Sequence, residues 1–219
     1  MMIHARRDFL NTWSYTPLLE RIADQITTYT KKSSLCIADI WCGEGRYMRW
    51  LNTIRQKNDS FFGVDISKDT IKYAAKNTPG VLLVGNVHKL PFADNSCDVI
   101  ICVFSPYDEL EIQRCLAPAW IALIVWPGHE HLYAFITLIR DNPHHHILKE
   151  SAQKYTHLDL ITTTSLQIPL SLKNNTDISN LFRMTPYYRK APKEKQDAIL
   201  QLETFETTAD FVIDVVRKR

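Results

Sequence analysis

No single charge sign dominates this chain: 26 Lys and Arg face 24 Asp and Glu, a formal net charge of +2. That excess falls short of the basic balance of a dedicated nucleic-acid module, so an RNA partner is permitted rather than required. Paired CxxC spacing is missing as well. The five cysteines (Cys36, Cys42, Cys97, Cys102 and Cys115) are odd in number and scattered. This argues against a disulfide framework or a zinc ribbon and leaves reduced, mostly buried thiols as the expectation. The opening MMIHARRDFL lacks the apolar stretch of a signal peptide. The most apolar run, 116–126, is interrupted by Pro118 and is too short to span a bilayer. A cytoplasmic location and no membrane partner are therefore expected. Internal repeats, low-complexity segments and a clear linker are also absent.

What is present is enough to build a core: 45% of residues are hydrophobic and 11% aromatic. Residues 2–13 and 16–30 read as amphipathic helices, the second with Leu18, Leu19, Ile22 and Ile26 at helical spacing, Thr16 as cap and Pro17 at N1. Five short apolar runs then alternate with helical stretches. They are LCIADI (35–40), SFFGVDI (60–66), VLLVG (81–85), CDVIICVF (97–104) and WIALIVWPG (120–128). One helix extends to about Lys57, one follows a Ser67 cap, and a short one covers 108–116. Strands and helices in this rhythm predict an α/β fold, a Rossmann-like, mostly parallel sheet with helices on both faces. After about residue 141 the rhythm changes. Residues 155–170 and 204–216 read as strands, and LFRMTPYYRKAP (181–192) as loop. The expected organisation is one domain over 1–219, with a helical N-terminal segment at 1–32 and a substrate-side insertion around 142–178.

Ligands of such sheets bind at the carboxyl ends of the strands, where Asp39, Asp65, Ser105 and Pro127 fall. Asp39-Ile40-Trp41-Cys42-Gly43-Glu44-Gly45 links the first strand to its helix, and glycines there let backbone N–H groups approach a ligand. Asp65 follows Gly45 by twenty residues, ends the second strand, and is placed to accept hydrogen bonds from ribose hydroxyls. A dinucleotide fingerprint would want a third glycine where Met48 stands. The pattern is closer to the D-x-G-x-G-x-G turn of enzymes that use S-adenosylmethionine (SAM), with Asp39 near the amino end of the cofactor. Trp41 stands where that turn usually has glycine, so either its ring points away from the ligand or cofactor binding is weakened.

Several segments together resemble the bacterial large-subunit (23S) rRNA guanine-N1 methyltransferases: MMIHARRDFL, Tyr15-Thr16-Pro17-Leu18, ADIWCGEGRY, FFGVDISKDTIKYAAK, HKLPFADNSCDVII, PGHEHL, MTPYYRKA and the final TADF. The resemblance covers nearly all of the chain, least clearly at 142–178. It implies a class I SAM-dependent methyltransferase with a seven-stranded sheet, transferring methyl to N1 of an rRNA guanine. It also implies cofactor contacts at Tyr15, Tyr47, Met48 and His131, completed by Asp39, Gly43, Glu44, Gly45 and Asp65. The chain departs from the family in three places. No counterpart of its N-terminal cysteine-rich zinc finger is present, Trp41 replaces the first glycine, and Ala117-Pro118-Ala119-Trp120 replaces a Lys-Pro-Gly-Gly turn.

Guanine N1 must lose a proton on methylation, and Asp108 or Glu109, just past the fourth strand, are candidate bases. Each could equally serve a helix N-terminus. Tyr107, in Ser105-Pro106-Tyr107, could stack on a target base or belong to an ordinary turn. Tyr187 and Tyr188, with Arg6 and Arg7, are candidate rRNA contacts. No metal site is assigned, and His144-His145-His146 reads as a solvated loop. A homodimer or a partner protein could replace the missing finger. A SAM enzyme of small molecules, or a non-catalytic relative serving as a binding protein, are the competing readings.

Overall fold

The computed structural model describes residues 2–55, 58–147 and 155–219. Its elements run α1 (Met2–Leu10), α2 (Thr16–Tyr29), β1 (Cys36–Ile40), α3 (Arg46–Arg55), β2 (Ser60–Asp65), α4 (Lys68–Ala74), β3 (Val81–Val84), β4 (Cys97–Val103), α5 (Glu109–Cys115) and β5 (Leu116–Pro127). There follow α6 (Tyr133–Ile139), β6 (Leu158–Leu172), α7 (Asn175–Arg183), α8 (Pro186–Lys190), α9 (Lys193–Ile199) and β7 (Phe205–Lys218). The strands form one seven-stranded sheet in the order β3-β2-β1-β4-β5-β7-β6. The ladders β1–β2, β1–β4, β2–β3 and β4–β5 are parallel. The strand order reverses beside β1, which places the switch point at the turn after that strand.

Contacts divide the chain into two compact units. One comprises 18–126, 149–164 and 212–219; the other comprises 1–17, 127–148 and 165–211. The first holds the parallel strands. Its centre is β4, buried at every position, as a strand covered on both faces must be. Val99, Ile100, Ile101 and Val103 each contribute roughly 1.5–3 kcal/mol by leaving water. The charged member, Asp98, is satisfied by Lys32 Nζ and by the Cys36 N–H, both at 2.8 Å. The second unit is built on aromatic packing. Phe135 stacks on Phe205 with centroids 4.4 Å apart and lies 5.1 Å from Phe182.

Four expectations about elements need correction. Residues 181–192 are mostly helical rather than loop: α7 ends at Arg183 and α8 spans Pro186–Lys190. Asn174 caps α7 by accepting the Asp177 N–H, and Ile178, Leu181 and Phe182 form its one buried stripe. Pro186 then starts a new helix at the position where its missing N–H costs nothing. Second, β5 begins at Leu116, four residues earlier than its apolar run suggests. Third, α1 stops at Leu10, short of residue 13. The expected end of α3 near Lys57 lies outside the described residues, and α3 is helical up to Arg55. Thr16 is the first residue of α2, and its hydroxyl donates to the Trp13 carbonyl rather than capping the helix. Ser67 does cap α4, accepting from the Thr70 N–H at 3.2 Å.

Candidate functional site

The turn after β1 is fixed by its own main chain. The N–H groups of Trp41 and Cys42 both donate to the Val64 carbonyl, at 2.6 and 2.9 Å, and Gly45 donates to Cys42 at 3.0 Å. Gly43 and Gly45 have φ of 55° and 76°, and Trp41 has φ of 70°. The left-handed conformation that glycine serves is thus kept at Trp41 by a bulky side chain, at a cost of about 1–2 kcal/mol. A side chain at Gly45 would collide with Thr78, whose hydroxyl donates to the Glu44 carbonyl at 3.3 Å. The Asp65 carboxylate closes the turn by accepting the Gly43 N–H at 3.0 Å through one oxygen and the Ser67 N–H at 2.9 Å through the other.

Asp39, Glu44 and Asp65 are all buried here. Burial and then the fields of Asp39, Asp65 and Glu44 push the Cys42 thiol far up. Three carboxylates around one turn oppose an anionic pyrophosphate and favour a cation. A sulfonium nucleoside with an amino group therefore fits this donor set, with glycine N–H groups near it and carboxylates for its hydroxyls and ammonium. Tyr47 and Met48 lie buried in the first turn of α3. A Cβ on Gly63 would come within 2.7 Å of Met48 Sδ and 2.8 Å of Cys42 Sγ, so both sulfurs pack beneath the turn against β2.

The segment after β4 carries the candidate base and stacking residues. Asp108 is the N-cap of α5, accepting the N–H groups of Leu110 and Glu111, and it pairs with His88 Nδ1 at 2.9 Å. Chiefly through His88, its carboxyl is held below the usual range, which makes it a weaker proton acceptor. Glu109 Oε2 accepts the N–H groups of Thr156 and His157 at 2.8 and 2.7 Å. Tyr107 lies edge-on to Trp126 at 5.4 Å, and burial pushes its hydroxyl up. That hydroxyl bonds Tyr155, whose own hydroxyl donates to the fully buried Asp214 at 2.7 Å. Arg114 ties the HKLPFAD loop to α5, donating to the Leu90 and Phe92 carbonyls and pairing with Asp94 and Glu111.

In the other unit, the PGHEHL and TADF segments dock on each other. Gly128 N–H donates to the Asp210 carbonyl at 2.8 Å, Glu130 N–H to the Asp210 carboxylate at 2.9 Å, and Leu132 N–H to the Thr208 carbonyl at 2.7 Å. His131 is buried, and its Nδ1 lies 2.7 Å from the Asp210 carbonyl oxygen. The Asp210 N–H approaches the same nitrogen at 3.2 Å, and burial lowers the ring to about 4. Tyr15 and His131, far apart in sequence, meet on Phe211: both rings lie edge-on to it, at 5.1 and 5.3 Å. Tyr187 bonds His146 Nε2 through its hydroxyl at 2.6 Å, and burial pushes that hydroxyl up to about 12. Tyr188 packs against Phe182 with the Arg183 guanidinium over its ring. Arg6 and Arg7 lie half-buried on α1, Arg7 paired with Asp8.

The glycine-turn residues, Tyr47, Met48, Asp65, Tyr107, Asp108 and Glu109 thus belong to one unit. Tyr15, His131, Tyr187, Tyr188, Arg6 and Arg7 belong to the other. Sequence reasoning missed Thr78, Arg114, Asp210, Phe211 and Asp214. Only Asp210 and Phe211 carried a signal, as the last two residues of TADF. A cavity of about 510 Å³, bordered by Leu138, Leu172, Leu202 and Phe205, contains none of the candidate residues.

Residues 38–120 match the family described as "Methyltransferase domain". The chain has the strand order, glycine turn and acidic strand end of the class I SAM-dependent methyltransferase fold. Its curated relatives carry the names of 23S rRNA guanine-N1 methyltransferases. A Bacillus subtilis protein provisionally so named is 26% identical over 207 residues, covering 90% of this chain and 72% of that protein. The 23S rRNA (guanine(748)-N(1))-methyltransferase of Streptomyces fradiae is 30% identical over 60% of this chain, which spans only 48% of it. Among solved structures, MccD matches 91% of this chain and 97% of its own at a TM-score of 0.55 and 17% identity. The [4+2]-cyclase SpnF matches 90% of this chain and 80% of its own at 0.55 and 15%. These likenesses describe the fold; a structure named as a cyclase shows that the fold alone does not fix the chemistry. Among the described residues no helix is long and apolar enough to cross a membrane.

Proposed function

We propose that this chain methylates N1 of a guanine in 23S rRNA, in the cytoplasm. The observation that carries the substrate choice is the Bacillus relative, whose similarity runs over 90% of the chain and so includes segments outside the methyltransferase domain. The docked PGHEHL and TADF segments support it, because they hold His131, which the resemblance expects at the cofactor, against Asp210.

SAM supplies an electrophilic methyl group. The protein's contribution is alignment: an in-line displacement needs the attacking nitrogen held close to that methyl, and positioning alone can supply much of the rate. Asp39, Glu44 and Asp65 would hold the ammonium and hydroxyl ends, with Gly43 and Gly45 giving close backbone approach and Tyr47 and Met48 beside them in the same unit; Tyr15 and His131, of the other unit, are cofactor contacts that the resemblance implies. Tyr107 would stack on the guanine. Asp108 or Glu109 would accept the N1 proton, and the hold of His88 on the Asp108 carboxyl counts against Asp108. Arg6, Arg7, Tyr187 and Tyr188 would grip the surrounding rRNA, with a second copy or a partner protein adding contacts.

The test is incubation with SAM and 23S rRNA, followed by nucleoside mass spectrometry and primer extension, because N1-methylguanine blocks base pairing. One SAM-dependent stop at a guanine is expected. Methyl transfer only to small molecules, or none despite SAM binding, would overturn the substrate assignment.

A further inference from the structure

Three groups of metal-ligand type converge in the turn before α6 and the segment that follows it. Glu130 Oε1 lies 3.0 Å from His129 Nδ1 and 3.1 Å from His145 Nδ1, and the ligand atoms of the three residues all lie within 4.8 Å of one another. The His145 ring is clamped between His129, at 4.3 Å, and Tyr133, at 3.7 Å. Its buried Nδ1 makes no hydrogen bond to any described residue despite facing Glu130. The main chain fastens the same two segments, His146 N–H donating to the His129 carbonyl at 3.3 Å.

We infer that His129, Glu130 and His145 form a binding site for a divalent transition-metal ion of the zinc type. Two imidazole nitrogens and one carboxylate select zinc, nickel or copper over magnesium or calcium, which prefer oxygen. Tetrahedral ligands about 2.0–2.2 Å from zinc stand about 3.3 Å apart. The two distances from Glu130 therefore need to open by only a few tenths of an ångström. The stacked rings are parallel, so the more exposed His129 tilts to aim its lone pair, while Tyr133 holds His145 still. Water completes the shell. Such an ion fastens the 144–146 segment, and with it the His146–Tyr187 hydrogen bond, to the turn that carries His131. Its role is to brace that turn. No step of the proposed methyl transfer passes through it, so this inference can fail while the proposed function stands.

The test is titration of the full, chelator-treated chain with cobalt(II) chloride, read by visible absorption, then displacement with zinc(II). One ion per chain is expected. Affinity should fall about tenfold or more in His129→Ala, Glu130→Gln and His145→Ala, with His144→Ala unchanged. Zinc should raise the melting temperature of the parent and not that of His129→Ala. Circular dichroism reports folding; should His145→Ala fail to fold, the exposed His129 and Glu130 decide. Absence of a cobalt band, or a band unaltered in His129→Ala and Glu130→Gln, would overturn the site. The latter would mean that the histidine run alone binds metal.

Discussion

The carboxylate of Asp210 occupies the space that a side chain on Gly128 would fill, while the Asp210 carbonyl accepts the Gly128 N–H at 2.8 Å. One aspartate thus satisfies the Gly128 and Glu130 amides and anchors His131. Gly128→Ala should destabilise the protein by about 1–3 kcal/mol, as overpacking of a closed site does. Urea denaturation measures this directly. A change within a few tenths would mean that the two segments are not in contact in solution.

Two residues other than glycine hold left-handed backbone where the resembled motifs carry glycine: Trp41 at φ 70° and Ala119 at φ 68°. Ala119 is the simpler case, because almost no side chain is lost on replacement. Ala119→Gly should gain up to about 1 kcal/mol, the relieved strain exceeding the added chain entropy. Ala119→Val should lose more than that. Thermal unfolding of the pair checks the sign, and a loss in Ala119→Gly would contradict the strain.

His131 gives stability a pH dependence of predictable sign. Its folded value of about 4 lies below the ordinary 6.5. Above pH 6.5 both folded and unfolded forms are neutral and the group contributes no slope. Between 6.5 and 4 the unfolded chain takes up a proton that the folded chain refuses, so stability falls by about 1.4 kcal/mol per pH unit. From pH 7.5 to 5.0 that amounts to about 2 kcal/mol. His131→Gln should lack this component, and its deficit against the parent should shrink by that amount as pH drops. Parallel declines of the two proteins would contradict the buried neutral ring.

The parallel half of the fold was legible because local and global signals agree there. Apolar runs with Asp39 and Asp65 near their ends mark β1 and β2, and Ser67 marks the start of α4. The helix α8 was not, because Pro186 reads as a break when it is a start; α7 did carry a signal, Ile178, Leu181 and Phe182 standing at helical spacing after the Asn174 cap. The site was legible as a list of residues rather than as relationships. Asp108, weighed as a base, caps α5 and pairs with His88; Glu109 holds two backbone amides. Phe211 lies in the resembled TADF segment, but its meeting with Tyr15 and His131 was not legible, since ring contacts between distant segments leave no period in the sequence.

Calorimetric titration of the purified chain with SAM and with its demethylated product tests the central claim most directly. With Asp39, Glu44 and Asp65 gathered at the glycine turn and Trp41 holding the turn's backbone as glycine would, micromolar binding is predicted. Asp65→Asn should weaken it at least about tenfold, a loss of about 1.4 kcal/mol. Absence of binding at millimolar ligand, or equal affinity in Asp65→Asn, would contradict a cofactor site at this turn.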